Sequence, residues 1–145
     1  MSSPRPTRVL AVDWGLARTG LAATDWTGTI VVPLGRIDER DPKVLCRKLR
    51  ELVAERQTQL IVLGMPLLVD GSAGERAQAS EVFRQLLVAE VSVPVVTVDE
   101  SHSTDEAHER LKQGGMKAAR RRELADSIAA LVILERWRRL PWPAP

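Results

Sequence analysis

The chain has 145 residues, 44% of them hydrophobic and 28% charged, with a formal net charge of +2, the size and balance of one compact globular domain. No apolar run reaches the roughly 18 residues of a membrane span, and the first eight residues lack an apolar signal core, so a cytoplasmic protein with no membrane partner is expected. One cysteine, Cys46, excludes an internal disulfide, and two histidines, His102 and His108, argue against a nitrogen–sulfur zinc centre.

Val9–Val12 is a continuous apolar run, VLAV, the pattern of a strand covered on both faces. TGLAATD (Thr19–Asp25) and TIVVPLG (Thr29–Gly35) predict two further strands joined by a turn at DWTG, so the first three strands should form an antiparallel meander. The period then changes. Asp41 and Pro42 make a cap and first turn, and Val44, Leu45, Leu49, Leu52 and Val53 share one helical face. Gln59–Leu63 predicts a buried strand ending at GMP, followed by a loop, LLVDGSAG. A helix over about 75–89 should bury Val82, Phe83, Leu86 and Leu87, and Val93–Val98 is the next strand. Ser103 to Glu106 matches a capping box and opens a helix stopped by Gly114 and Gly115. A last helix runs over about 120–139, ended by Pro141 and Pro143. The order βββαβαβαα needs crossovers for the later strands. The expected fold is α/β: a mixed five-stranded sheet, three strands antiparallel and two parallel, flanked by helices. Residues 1–145 make a single domain, with 1–7 and 140–145 as flexible ends.

Three carboxylates stand out. Asp13 follows the most buried strand, and Glu100 follows Val93–Val98. Open α/β sheets build their sites beyond the carboxyl ends of strands, so the two can share one edge. Asp126 lies in the last helix among Leu124, Ala125, Ile128, Ala129 and Ala130. A charge there is costly unless paired or bound to metal, and the alanines let the helix approach the sheet closely. Singly, each has an ordinary reading: a turn residue, a solvated neighbour of Asp99, an ion-pair partner of Arg122. Together they make a carboxylate set suited to Mg²⁺ or Mn²⁺, and two such ions about 4 Å apart can activate water and stabilise the leaving oxygen of a phosphodiester. Residues 110–139 carry nine Lys/Arg against three Asp/Glu, a local +6 that leaves −4 for the rest. A polyanionic partner fits that distribution, as does a solvated helix face.

Four segments carry a resemblance: VDWGLARTGLA (Val12–Ala22), GMPLLVDGS (Gly64–Ser72), VDESHSTDEA (Val98–Ala107) and RRRELADSIAALVILERW (Arg120–Trp137). In this order they resemble the D-x-G-x-x-R-x-G, G-x-P-x-x-x-D-G-S, D-E-R-x-S-T and D-x-x-A-A motifs of the YqgF/RuvX family, described both as pre-16S rRNA nucleases and as Holliday junction resolvase-like proteins. The resemblance implies an RNase H-like fold and a nuclease whose catalytic and metal-binding residues are Asp13, Glu100 and Asp126. It implies a nucleic-acid partner, either structured RNA or branched DNA. Nucleic-acid contacts are expected at Arg18, Ser103, Thr104, Arg120, Arg121 and Arg122, and at Trp14 by stacking; a surface arginine and an indole covering the sheet edge are the ordinary readings of Arg18 and Trp14. Ser101-His102 stands where the family usually has Arg-Leu, so His102 is a stand-in for the missing arginine or an ordinary loop residue. Junction resolution would need paired active sites, hence a homodimer; RNA trimming would not. A non-catalytic ribosome-assembly factor is the rival reading. A phosphotransferase sharing the D-x-G turn would need a second lobe, for which 145 residues leave no room.

Overall fold

The computed structural model describes residues 4–66, 74–101, 103–115 and 117–143, excluding the side chains at 119 and 121–123. Strands β1 (Val9–Asp13), β2 (Arg18–Thr24) and β3 (Val31–Asp38) are followed by α1 (Pro42–Arg56), β4 (Leu60–Met65), α2 (Glu75–Glu90), β5 (Val95–Asp99), α3 (Ser103–Gln113) and α4 (Ala118–Arg139). The sheet order is β3-β2-β1-β4-β5. β1 pairs antiparallel with β2, as β2 does with β3, whereas β1–β4 and β4–β5 are parallel. The expected mixed sheet is therefore the observed one, and the central position of β1 explains why it is apolar at every residue from Val9 to Val12.

The two faces of the sheet bury different sets. Leu10, Val12, Leu21, Ile61 and Leu63 pack under α1 and α2, against Leu45, Leu49, Phe83 and Leu87. Val9, Ala11, Ala22, Val62 and Val98 pack under α4, against Ala130, Ile133, Leu134 and Trp137. This alternation is the two-residue repeat of a pleated strand. The Asp41 side chain caps α1 by accepting from the Lys43 and Val44 amides, and Pro42 fills the first turn. Cys46, buried in α1, has its thiol pushed up to about 11 by burial and then by the charge of Glu90. Val82, expected in the core, is 58% exposed: α2 meets the sheet through Phe83 and Leu87, and Val82 lies one residue round the helix from that stripe. Among the described residues no helix is long and apolar enough to cross a membrane.

The C-terminal end of α4 is closed by the other end of the chain. The Arg5 guanidinium lies 4.2 Å from the Trp137 ring centroid and donates to the carbonyls of Trp137 (2.6 Å) and Leu140 (2.8 Å). A cation on the last carbonyls of a helix satisfies both their lone pairs and the helix dipole.

Candidate active site

Strand pairing and one glycine bring the three carboxylates to a common edge. Asp13 ends β1 and sits opposite Gly20 of β2. A Cβ at Gly20 would run into the Asp126 carbonyl, so α4 crosses β2 in near backbone contact at that point. Ala125, Ala129 and Ala130 are buried along the same face of α4, as the sequence anticipates. Glu100 follows β5 directly. Its amide continues the ladder to the Met65 carbonyl (3.0 Å), and its carbonyl accepts from the Ser103 amide where α3 begins (3.0 Å).

The Glu100 turn is held from two further sides. Asp99 Oδ1 accepts from the Ser101 amide (2.9 Å) and hydroxyl (2.6 Å). Arg136 donates to the carbonyls of Asp99 (3.0 Å) and Ser101 (2.8 Å). Ser101 thus stabilises the turn that presents Glu100. His102 lies outside the described residues, as does the 67–73 segment with its Asp-Gly-Ser.

The electrostatics of the pair are unbalanced. Glu100 is 8% exposed. Its Oε1 is 3.4 Å from an Arg76 nitrogen, and its Oε2 is buried without a hydrogen-bond partner among the described residues. Gly64 makes the room: a Cβ there would stand 3.0 Å from that oxygen. Burial, then hydrogen bonding and charge from Glu100, push Asp13 up to about 8; Arg76 works against the rise and Asp126 adds to it. At neutral pH without a cation Asp13 therefore favours its protonated form, hydrogen-bonded to Glu100. A buried carboxylate oxygen with no donor, beside a second acid and under a glycine, is a fit for a divalent cation.

Asp126 lines the same cleft but is turned elsewhere. Its Oδ2 lies 3.5 Å from an Arg36 nitrogen, and among the described residues no group of three His, Cys, Asp or Glu is arranged to hold a metal. The structure thus brings two acids together, with the third beside them on an arginine. The cleft, of about 260 Å³, is lined by Asp13, Trp14, Arg18, Arg76, Thr104 and Asp126 among others. Trp14 also stacks on Phe83, ring centroids 5.1 Å apart, so its ring is part of the core. Ser103 is buried and serves the Glu100 turn, while Arg120 is exposed. The side chains of Arg121 and Arg122 lie outside the described residues.

Arg76 is the residue the sequence did not disclose. It sits in the first turn of α2, reaching Glu100 and, at 3.5 Å, the Trp14 carbonyl. Its neighbours in sequence carry no motif, and tertiary packing alone brings it to β1 and β5. The basic region also divides. Arg110 pairs with Glu106 (3.0 Å) and Glu135 (2.7 Å), and Arg136 with Glu106 (3.3 Å), so these two arginines join α3 to α4. Lys112, Lys117 and Arg120 remain exposed.

Comparison with known proteins gives one consistent answer. The profile of the family described as "RuvX: Holliday junction resolvase" matches residues 7–139. A protein of Synechococcus sp. (strain JA-2-3B'a(2-13)) named "Putative pre-16S rRNA nuclease" is 36% identical over 132 residues, covering 91% of this chain and 78% of its own. A protein of Geobacillus sp. (strain WCH70) with the same name is 36% identical over 131 residues, covering 88% and 94%. Among solved structures, Thermus thermophilus RuvC in complex with a Holliday junction substrate superposes with a TM-score of 0.60 at 16% identity, covering 91% of this chain and 94% of that one. At that identity the likeness concerns the fold, which is RNase H-like.

Proposed function

The chain belongs to the RuvX family, and from that premise we propose that it is a metal-dependent endonuclease that hydrolyses phosphodiester bonds in structured nucleic acid. The observation that carries the reading is the Asp13–Glu100 pair, a proton-sharing site with an unpartnered buried oxygen. Asp13 and Glu100 would hold Mg²⁺ or Mn²⁺, and Asp126 would join them. Bound there, such ions supply Lewis-acid activation of water and stabilisation of the departing oxygen, two ions being the expected number. Arg18, Arg76 and Thr104 line the walls of the cleft and would receive a phosphate and set its distance from the acids. Trp14 contributes one edge of that wall, the exposed Arg120 adds positive charge at the start of α4, and Arg121 and Arg122 would add to it.

The substrate is either the precursor of 16S rRNA, after the names of the relatives, or a four-way DNA junction, after the description of the family. The junction reading requires a homodimer with paired sites. The test is direct. The purified protein is incubated with a four-way junction, a DNA duplex and a precursor rRNA fragment, each with Mn²⁺, Mg²⁺ or EDTA. Cleavage of the junction or the precursor that EDTA abolishes and Asp13→Asn removes supports the proposal. Cleavage that persists in EDTA, or binding with no cleavage under any condition, overturns it.

A further inference from the structure

We propose that Arg36 is a positioning residue that holds Asp126 apart from the Asp13–Glu100 pair, so that loading a divalent cation requires Asp126 to exchange Arg36 for the cation. The inference rests on the nuclease reading above and adds to it the group against which the cation competes.

A β-bulge puts Arg36 where it is. β2 and β3 pair in register except between Leu21 and Ala22: Leu21 is opposite Gly35 and Ala22 is opposite Pro33. Leu34 therefore has no cross-strand partner. Gly35 takes φ 86°, a left-handed conformation that glycine adopts without strain; a Cβ there would meet nothing within 4 Å, so conformation and not space calls for the glycine. Beyond the bulge, Arg36 lies opposite Gly20. Directly opposed residues share a face of the sheet, and the Gly20 face is the one that touches α4 at Asp126. Were the bulge absent and Leu34 paired with Leu21, Gly35 would stand opposite Gly20 and Arg36 would turn to the other face.

The bulge is locked to α4 one residue from each member of the pair. Ser127, 1% exposed, accepts from the Gly35 amide (2.9 Å) and donates to the Leu21 carbonyl (2.8 Å). The hydroxyl thus bridges the ladder at its irregular point. Gly35 precedes Arg36, and Ser127 follows Asp126. With Gly20 contributing no side chain, Arg36 and Asp126 meet over it at 3.5 Å, both 30% exposed. Arg36 is also shared: its Nε lies 3.2 Å from Asp38 Oδ1, and Asp38 is 67% exposed.

A divalent ion between Asp13 and Glu100 attracts Asp126 and repels Arg36. The two arginine partners therefore give opposite predictions. Arg36→Gln frees Asp126 and should tighten Mn²⁺ binding about two- to fivefold, the range of a partly exposed ion pair. Arg36→Lys keeps the charge and should restore an affinity near that of the original protein. Asp38→Asn releases Arg36 to Asp126 alone and should weaken Mn²⁺ binding about two- to fivefold. The readout is calorimetric titration of the full chain with Mn²⁺, without nucleic acid, with Asp13→Asn as the control. Unchanged affinity in both Arg36→Gln and Asp38→Asn, or the same direction of change in both, overturns the proposal while leaving the metal site standing. A higher KM for nucleic acid with unchanged Mn²⁺ affinity also overturns it, and makes Arg36 a phosphate contact. Absence of Mn²⁺ binding by the original protein overturns the metal reading and this proposal together.

Discussion

Two charged clusters lie at the two ends of the turn after β5, and they are built on opposite plans. In the α3–α4 cluster, Glu106 and Glu135 face Arg110 and Arg136, with contacts of 2.7 to 3.3 Å. Each acid there has a base, and the hydrogen bond to Glu135 raises Arg110 above its ordinary value, with burial working against the rise. In the Asp13–Glu100 cluster two acids have one arginine nearby, 3.4 Å from Glu100, and one oxygen has no donor among the described residues. The first cluster joins helices and is complete within the chain. The second is short of positive charge, and a folded protein tolerates such a deficit where a ligand supplies what is missing.

The sharpest way to break this contrast is to neutralise one acid on each side. Asp13→Asn or Glu100→Gln should lower cleavage by roughly a thousandfold or more, measured on whichever substrate the protein cuts. The same substitutions should leave the metal-free protein as stable as before or more so, because they relieve repulsion. A large fall in melting temperature would instead make the pair a structural element. Arg76→Gln comes next. Its loss removes the one nearby charge that lowers Asp13, and kcat/KM should fall about tenfold, with KM carrying part of the change.

The third comparison is with pH. Asp13 is raised from an ordinary 3.8 to about 8 in the folded chain, so between those values the native state binds more protons than the unfolded one. Stability with respect to this group is full below the lower value and is lost as pH rises towards the upper one. The slope in denaturant melts should approach about 1.4 kcal/mol per pH unit at most. It should flatten in Asp13→Asn and be opposed by Mn²⁺, which competes with the proton. A stability that rises from pH 5 to 8 without metal would contradict the raised Asp13. The smallest effect belongs to the completed cluster. Glu135→Gln should cost about 1 kcal/mol of stability, read by the same melts, and change cleavage less than twofold.

The sequence made the scaffold legible because the scaffold is written in local periods. VLAV between two alternating strands, Asp41-Pro42 and the glycine pair at 114 and 115 each point to one local structure. Asp13 and Glu100 were also legible, since an acid directly after an apolar strand stands at a sheet edge. Asp126 was legible by contrast with its alanine neighbours, but one partner was not: Arg122, an ordinary candidate on the same helix, has a side chain outside the described residues, and Arg36 on β3 pairs with Asp126 without any signal in the sequence. Ninety residues separate that pair, and the one-residue slip that aligns them shows in no period. Arg76 escaped for the same reason, reaching Glu100 through tertiary packing of α2. Val82 was misplaced because a stripe of four apolar residues is wider than the face α2 offers the sheet.

Cys46 turns the core into a timekeeper. As the sole thiol in the sequence, buried under α1 and held protonated by its surroundings, it is shielded from disulfide reagents while α1 is seated. Colour released by such a reagent therefore counts the openings, local or global, that expose the buried face of α1. Any change made at the acidic edge can be checked against this clock: an unaltered rate means that the core around Cys46 opens as before.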